Sequence, residues 1–268
     1  MTEIEIRRDI PFTDGAAADA YLPAGPGPHP ALLAIHGGAW QRGDKSFYAH
    51  MGPHFARRGI AVFAINYRLT TAAAPSYPQT PRDVLAALAY LKREAAGLRI
   101  DPARVGAIGD SAGAHLASLA ALDGAAYAAG AEFVQPKLCV GIYGVYDMAA
   151  QWLHDQIHRA GDNIAQKFLG AALYEDRRRF FDASPLSHAI TARNQTPFFL
   201  AWGTEDDIVD CETQSKAFLT ALKQAGFFVR TFVLPGAPHF WASDPLDAGT
   251  GYAARFVAAL EPFLRERL

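Results

Sequence analysis

The chain has 268 residues, of which half are apolar and 19% charged, with a formal net charge of -2 and with 23 glycines and 17 prolines scattered along it. This length accommodates one large α/β domain with a full core, and the composition excludes disordered, collagen-like and coiled-coil chains. With no basic stripe to neutralise phosphates, nucleic acid is excluded as a partner and a neutral or apolar small molecule is expected.

Residues 1–14 carry charges throughout and lack the basic start and apolar run of a secretion signal, so a cytoplasmic location is expected. No apolar run reaches bilayer-spanning length, and no membrane contact is expected. In chain order, residues 4–10 and 17–22 read as an antiparallel edge hairpin. Short apolar runs follow at 31–35, 60–65, 105–108, 138–143, 198–202 and 227–233, whose two-sided apolarity suits strands covered on both faces. Between them lies a helix over 81–94, with Val84, Leu85, Leu88 and Leu91 on one face, Thr80 as N-cap and Pro81 at its first position. A second covers about 213–225 and stops before Gly226. The last places Ala253, Phe256, Val257, Leu260, Phe263 and Leu264 on one face.

Alternating strands and helices predict a single α/β domain over 1–268, a mostly parallel sheet flanked by helices, with substrate beyond the carboxyl ends of the strands. Residues 147–196 break the rhythm with helical pieces at 148–160 and 164–173 and no clear strand, and are read as an inserted helical cap. Of the two cysteines, Cys139 falls on a predicted buried strand and Cys211 near a helix start, so neither a disulfide framework nor a cysteine zinc site is suggested.

The pentapeptide Gly109-Asp110-Ser111-Ala112-Gly113 directly follows the strand at 105–108 and precedes a helical stretch over 112–122. Gly-x-Ser-x-Gly arises by chance in about one chain in twenty of ordinary composition. The strand-turn-helix setting is what makes it informative, because a sharp turn there presents a serine hydroxyl as a nucleophile. Side chains at Gly109 and Gly113 would collide with the adjacent elements, and the Ala112 amide would face a developing oxyanion. Asp110 is expected to hydrogen-bond near the mouth of the site rather than to take part in proton transfer. A second motif, His36-Gly37-Gly38-Ala39-Trp40, follows the strand at 31–35. Its small residues would let the main-chain amides of Gly38 and Ala39 supply the other oxyanion donors.

With HGGAW followed by GDSAG, the chain resembles the esterase and lipase branch of the α/β-hydrolases over nearly its whole length. Asp44-Lys45-Ser46 and the stretch from Phe55-Ala56-Arg57-Arg58 to Val62 are similar to small bacterial carboxylesterases and to arylformamidases of kynurenine formation. The resemblance implies a Ser-His-Asp triad in the chain order serine, acid, histidine. Of the histidines beyond Ser111, His154, His158, His188 and His239 fit that order, and His239 alone sits in a loop after the last predicted strand, which makes it the base. Glu205, Asp206, Asp207 and Asp210 compete for the acid. The family pattern Gly-x-x-Asp-x-x-Val aligns it with Asp206, leaving Asp207 as the alternative and Asp210 as an N-cap.

His50 with His54 and His154 with His158 have the i, i+4 spacing of metal ligands but lack a third ligand, and no metal or cofactor is expected. Trp40, Phe240 and Trp241 adjoin the predicted catalytic loops and are expected to form an aromatic wall for short acyl or aryl esters, while Tyr143 is read as core. The expected function is a serine carboxylesterase acting on a small-molecule ester or formamide. The alternatives are an arylformamidase and, in another class, a noncatalytic small-molecule-binding module. A homodimer is compatible with the sequence, which leaves the oligomeric state open.

Overall fold

The structure is a computed structural model that describes residues 3–128, 132–246 and 250–268. The chain enters through a hairpin, β1 (Ile4–Thr13) and β2 (Ala16–Pro23), whose tight turn is made by Gly15 at φ +73°. The next elements are β3 (His29–Ile35), α1 (Met51–Ala56) and β4 (Ala61–Ile65). They are followed by α2 (Gln79–Arg93), α3 (Ala95–Leu98), β5 (Ile100–Asp110), α4 (Ala112–Tyr127) and β6 (Cys139–Ile142). Helices α5 (Met148–His158), α6 (Ile164–Leu169) and α7 (Arg177–Asp182) occupy the stretch before β7 (Phe198–Gly203). The chain closes with α8 (Ala217–Gln224), entered through a π-helical turn, then β8 (Val229–Leu234) and α9 (Tyr252–Arg267).

Among the described residues eight strands form one sheet in the order β1-β2-β4-β3-β5-β6-β7-β8. β1 and β2 are antiparallel additions and the rest run parallel. The strands alternate their side chains between two cores, as the period of two requires. Leu33 and Ile35 of β3 face the layer of α2, α4 and α8, whereas Leu32 and Ala34 face α1 and α9. This double covering explains why the central strands read as unbroken apolar runs. It also leaves their carboxyl ends as the edge where loops from β3, β5, β7 and β8 meet.

Two local expectations change. Helix α2 begins at Gln79, so Thr80 is not its N-cap; the Thr80 hydroxyl instead donates to the Arg68 carbonyl at 2.7 Å, tying the helix to the chain leaving β4. Strand β5 runs from Ile100 through Pro102, because its first residues meet β3 across a register shift that spares the missing donor.

Among the described residues the insertion between β6 and β7 is helical, with α5, α6 and α7 capped by Asp147, Asn163 and Asp176. Its Phe168 is fully buried. Ser184 stitches its two ends, accepting from the Met148 amide and donating to the Phe180 carbonyl.

Candidate active site

Ser111 occupies the single residue between β5 and α4, at φ +50° and ψ -118°. A non-glycine residue held there costs on the order of 1–3 kcal/mol, so the surrounding contacts must dictate it. They do so by close approach: a Cβ on Gly109 would overlap the Gly113 backbone, and one on Gly113 would overlap the Ile35 carbonyl. The Ser111 amide donates to the Ile142 carbonyl at 2.8 Å, which pins the turn to β6.

His239 sits in the loop after β8, and its Nε2 lies 3.0 Å from Ser111 Oγ. Its Nδ1 lies 2.6 Å from Asp206 Oδ2, in the loop after β7. The other Asp206 oxygen accepts from the amides of Ile208 at 3.0 Å and Val209 at 2.9 Å. Because a carboxylate only accepts, Nδ1 must carry the proton and donate, which leaves the Nε2 lone pair for the serine hydroxyl. Both loops are locked together, as Glu205 N donates to the Ala237 carbonyl at 3.1 Å and a Cβ on Gly203 would overlap that same oxygen. Ser111 and His239 are 6% and 5% exposed, so the hydrogen-bond chain is shielded from water. Asp207 takes no part in it. Asp210 accepts from Thr213 N at 3.0 Å at the entry to the next helix.

The HGGAW segment turns sharply after β3, with Gly38, Ala39 and Trp40 all at positive φ. The Gly38 carbonyl accepts from Gln41 N and Arg42 N. Among the described residues no internal acceptor takes up the amides of Gly38 and Ala39, and Ala112 opens α4 with its amide equally free. The arrangement can therefore offer three main-chain donors beside a serine hydroxyl.

Burial holds the His36 side chain neutral, pushing its pKa down to about 4. The ring stacks on Tyr67, with centroids 4.2 Å apart, and Tyr67 donates to the His36 carbonyl at 2.8 Å.

Two members of the expected aromatic wall lie elsewhere. Trp40 is fully buried, its left-handed backbone turning the indole inward, where it stacks on Phe168 at 4.4 Å and donates from Nε1 to His115 Nδ1 at 3.2 Å. Trp241 is 2% exposed and packs against Tyr143 and Phe256 in the core on the opposite side of the sheet. Phe240 does border the site: it is 46% exposed, with its ring edge-to-face with His239 at 4.4 Å. Asp110 also differs from expectation. It is buried beneath the serine rather than at the mouth, accepting from Gly37 N at 3.1 Å and the Tyr48 hydroxyl at 3.3 Å. Burial with no cation at hand pushes its pKa up to about 7.

Sequence reasoning passed over His115, one helical turn after Ser111 on α4. With Nδ1 accepting from Trp40, its Nε2 donates to the Ala183 carbonyl at 2.7 Å, and burial lowers its pKa to about 4. It thus links the HGGAW turn to the insertion. The residue's place on the helix following the serine turn was the available signal.

A cavity of about 790 Å³ opens beside Gln41, two residues beyond Ala39, and is also lined by Thr70, Gln166, Lys167 and Glu175. Ser111, Asp206 and His239 do not line it. His54 is engaged by Glu261 at 2.8 Å, and among the described residues no cluster of three metal-ligating side chains occurs. Both cysteines are free. No described helix is long and apolar enough to cross a membrane.

A parallel sheet with a serine turn after β5, a carboxylate loop after β7 and a histidine loop after β8 defines an α/β-hydrolase. Within that class the chain belongs to the BD-FAE family, whose model matches residues 18–222. It is 31% identical over 243 residues to esterase LipQ of Mycobacterium tuberculosis, covering 88% of this chain and 55% of that protein. It is 32% identical over 220 residues to an ethyl acetate hydrolase of Pseudomonas putida, covering 78% of this chain and 65% of that one. Among solved structures, a thermophilic esterase of Thermogutta terrifontis shares the fold, with a TM-score of 0.77, 23% identity and coverage of 99% of this chain and 92% of that one. The chain spans about half the length of several of the relatives it matches.

Proposed function

We propose that this chain is a serine carboxylesterase acting on small acyl or aryl esters. Ser111 attacks the ester carbonyl as His239 Nε2 takes its proton, Asp206 stabilises the resulting imidazolium, and the amides of Gly38, Ala39 and Ala112 hold the oxyanion. The tetrahedral intermediate collapses, and the departing alcohol takes the proton back from His239. Water activated by the same histidine then attacks the acyl-serine, and its collapse releases the carboxylic acid and restores Ser111. The cycle calls for no cofactor.

The observation that carries this reading is the buried hydrogen-bond chain from Ser111 Oγ through His239 to Asp206, with contacts of 3.0 and 2.6 Å. The names of the esterase relatives support it. Phe240 is proposed to flank the reacting ester, and the cavity beside Gln41 to receive part of the substrate. The test is labelling with a fluorophosphonate probe together with turnover of p-nitrophenyl acetate. Wild type should label and turn over, while Ser111→Ala should do neither and keep a native circular dichroism spectrum. Activity retained by that variant would refute the assignment. Faster hydrolysis of N-formylkynurenine than of the ester would move the reading to an arylformamidase.

A further inference from the structure

Gln151, on α5, lies outside the hydrogen-bond chain just described and is fully buried. Its amide nitrogen donates both hydrogens, one to Asp155 Oδ1 at 2.9 Å and one to the Ile208 carbonyl at 3.3 Å. Its Oε1 is buried with no partner. Turning the amide over would set that oxygen against a carboxylate and a carbonyl, two acceptors, so the neighbours dictate the orientation. A leucine would fill the same volume without an orphaned acceptor, which makes the glutamine costly unless its two donations matter.

The second donation ends at a telling place. Ile208 presents its carbonyl to Gln151 and its amide to Asp206 Oδ1, while Val209 supplies the other amide on that oxygen. On the opposite side, Asp155 Oδ2 accepts from Ile164 N at 2.9 Å, at the start of α6. The insertion is thereby joined through Asp155 and Gln151 to the loop that carries the carboxylate facing His239.

We propose that Gln151 is a positioning residue: by bridging Asp155 to the Ile208 carbonyl, it fixes the loop that aims Asp206 at His239. This rests on the reading of Asp206 and His239 as acid and base. Freeing Ile208 lets the Asp206 loop relax, so the carboxylate meets Nδ1 less well and stabilises the imidazolium less. The rate of the chemical step then falls. The titratable groups around the bridge are His154 and Arg159 beside Asp155, Asp210 near His154, and Tyr143 against His239. All of these remain in the variants below.

The experiment compares wild type with Gln151→Leu and with the double variant Gln151→Leu/Asp155→Asn, which removes the carboxylate charge left without its partner. For p-nitrophenyl acetate, kcat should fall about 10- to 100-fold in both variants with KM changed by less than about twofold. The double variant should regain thermal stability lost by the single one without regaining rate. Wild-type kcat in either folded variant, or rate recovering in step with stability, would overturn the proposal. Failure of the underlying reading shows separately, as wild-type protein that is not labelled at Ser111 by a fluorophosphonate.

Discussion

Replacing Asp206 with asparagine tests the proton path with almost no change in shape. Asp206 Oδ1 accepts from two backbone amides, so the asparagine oxygen must stay there, since an NH₂ group would face two donors. The asparagine nitrogen then occupies the Oδ2 position, 2.6 Å from His239 Nδ1, and presents a hydrogen to it. His239 responds by moving its proton to Nε2, which now donates toward Ser111 Oγ and cannot receive the serine proton. Holding the wrong tautomer in an otherwise intact triad costs about 10⁴-fold in kcat. At 1.36 kcal/mol per tenfold that is about 5 kcal/mol of transition-state stabilisation. Steady-state hydrolysis of p-nitrophenyl acetate, with circular dichroism as a control for folding, measures it. Asp207→Asn should stay within about threefold of wild type, as expected of a surface change outside the machinery. An Asp206→Asn enzyme within tenfold of wild type would refute the tautomer argument and with it the choice of acid.

Asp110→Asn should alter the pH dependence of stability. The folded-state pKa of Asp110 is raised from 3.8 to about 7, so its contribution is fully present below pH 3.8 and is lost as pH rises through 7, by on the order of 4 kcal/mol. Thermal melts at pH 5 and pH 8 should therefore show the variant gaining on wild type at the higher pH, and a constant difference would contradict the burial argument. Phe240→Ala should leave the melting temperature nearly unchanged while raising KM for aryl esters, because its ring is half exposed against His239. Trp241→Ala should instead destabilise the fold by about 3–5 kcal/mol through the cavity it leaves in the core. Equal melting temperatures for these two variants would refute their placement.

What could be read from the sequence was whatever has a local signature. The central parallel strands announced themselves as apolar runs, because their side chains alternate into two cores that are both dry, whereas the edge strand β8 leaves Val233 exposed. That Ser111 and His239 would meet was legible because each follows a strand end and is bracketed by turn residues. The carboxylate that faces His239 was harder, since three stand in a row from Glu205 to Asp207 and only the folded loop decides that Asp206 meets the histidine. Trp40 and Trp241 were misplaced because adjacency to a loop says nothing about the side of the backbone from which a ring projects. The positive φ at Ala39 and Trp40 sends that indole inward. His115 had only its place on the helix after the serine turn as a signal, and Asp110 and Gln151 had none for their roles; the three depend on partners 68, 73 and 57 residues away.

Those long-range contacts bear on how the inserted helices relate to the site. A hinged lid would meet the core through few, wet and exchangeable contacts. Residues 147–196 do the opposite in two places. Phe168 is fully buried, stacked on Trp40, and so buttresses the turn whose residues 38–40 are all held at positive φ. Gln151, also fully buried, holds the carbonyl of Ile208 beside Asp206. Between them, His115 reaches from the helix behind Ser111 to the Ala183 carbonyl of the same insertion. The sheet supplies the Ser111 turn and the His239 loop, whereas the strained HGGAW turn and the Asp206 loop each lean on the helices of 147–196. A left-handed turn with its tryptophan unpacked would lose the contacts that offset its backbone strain, so Phe168→Ala should impair turnover as well as stability. The same substitution in a detachable lid would alter substrate access alone and leave the melting temperature where it was.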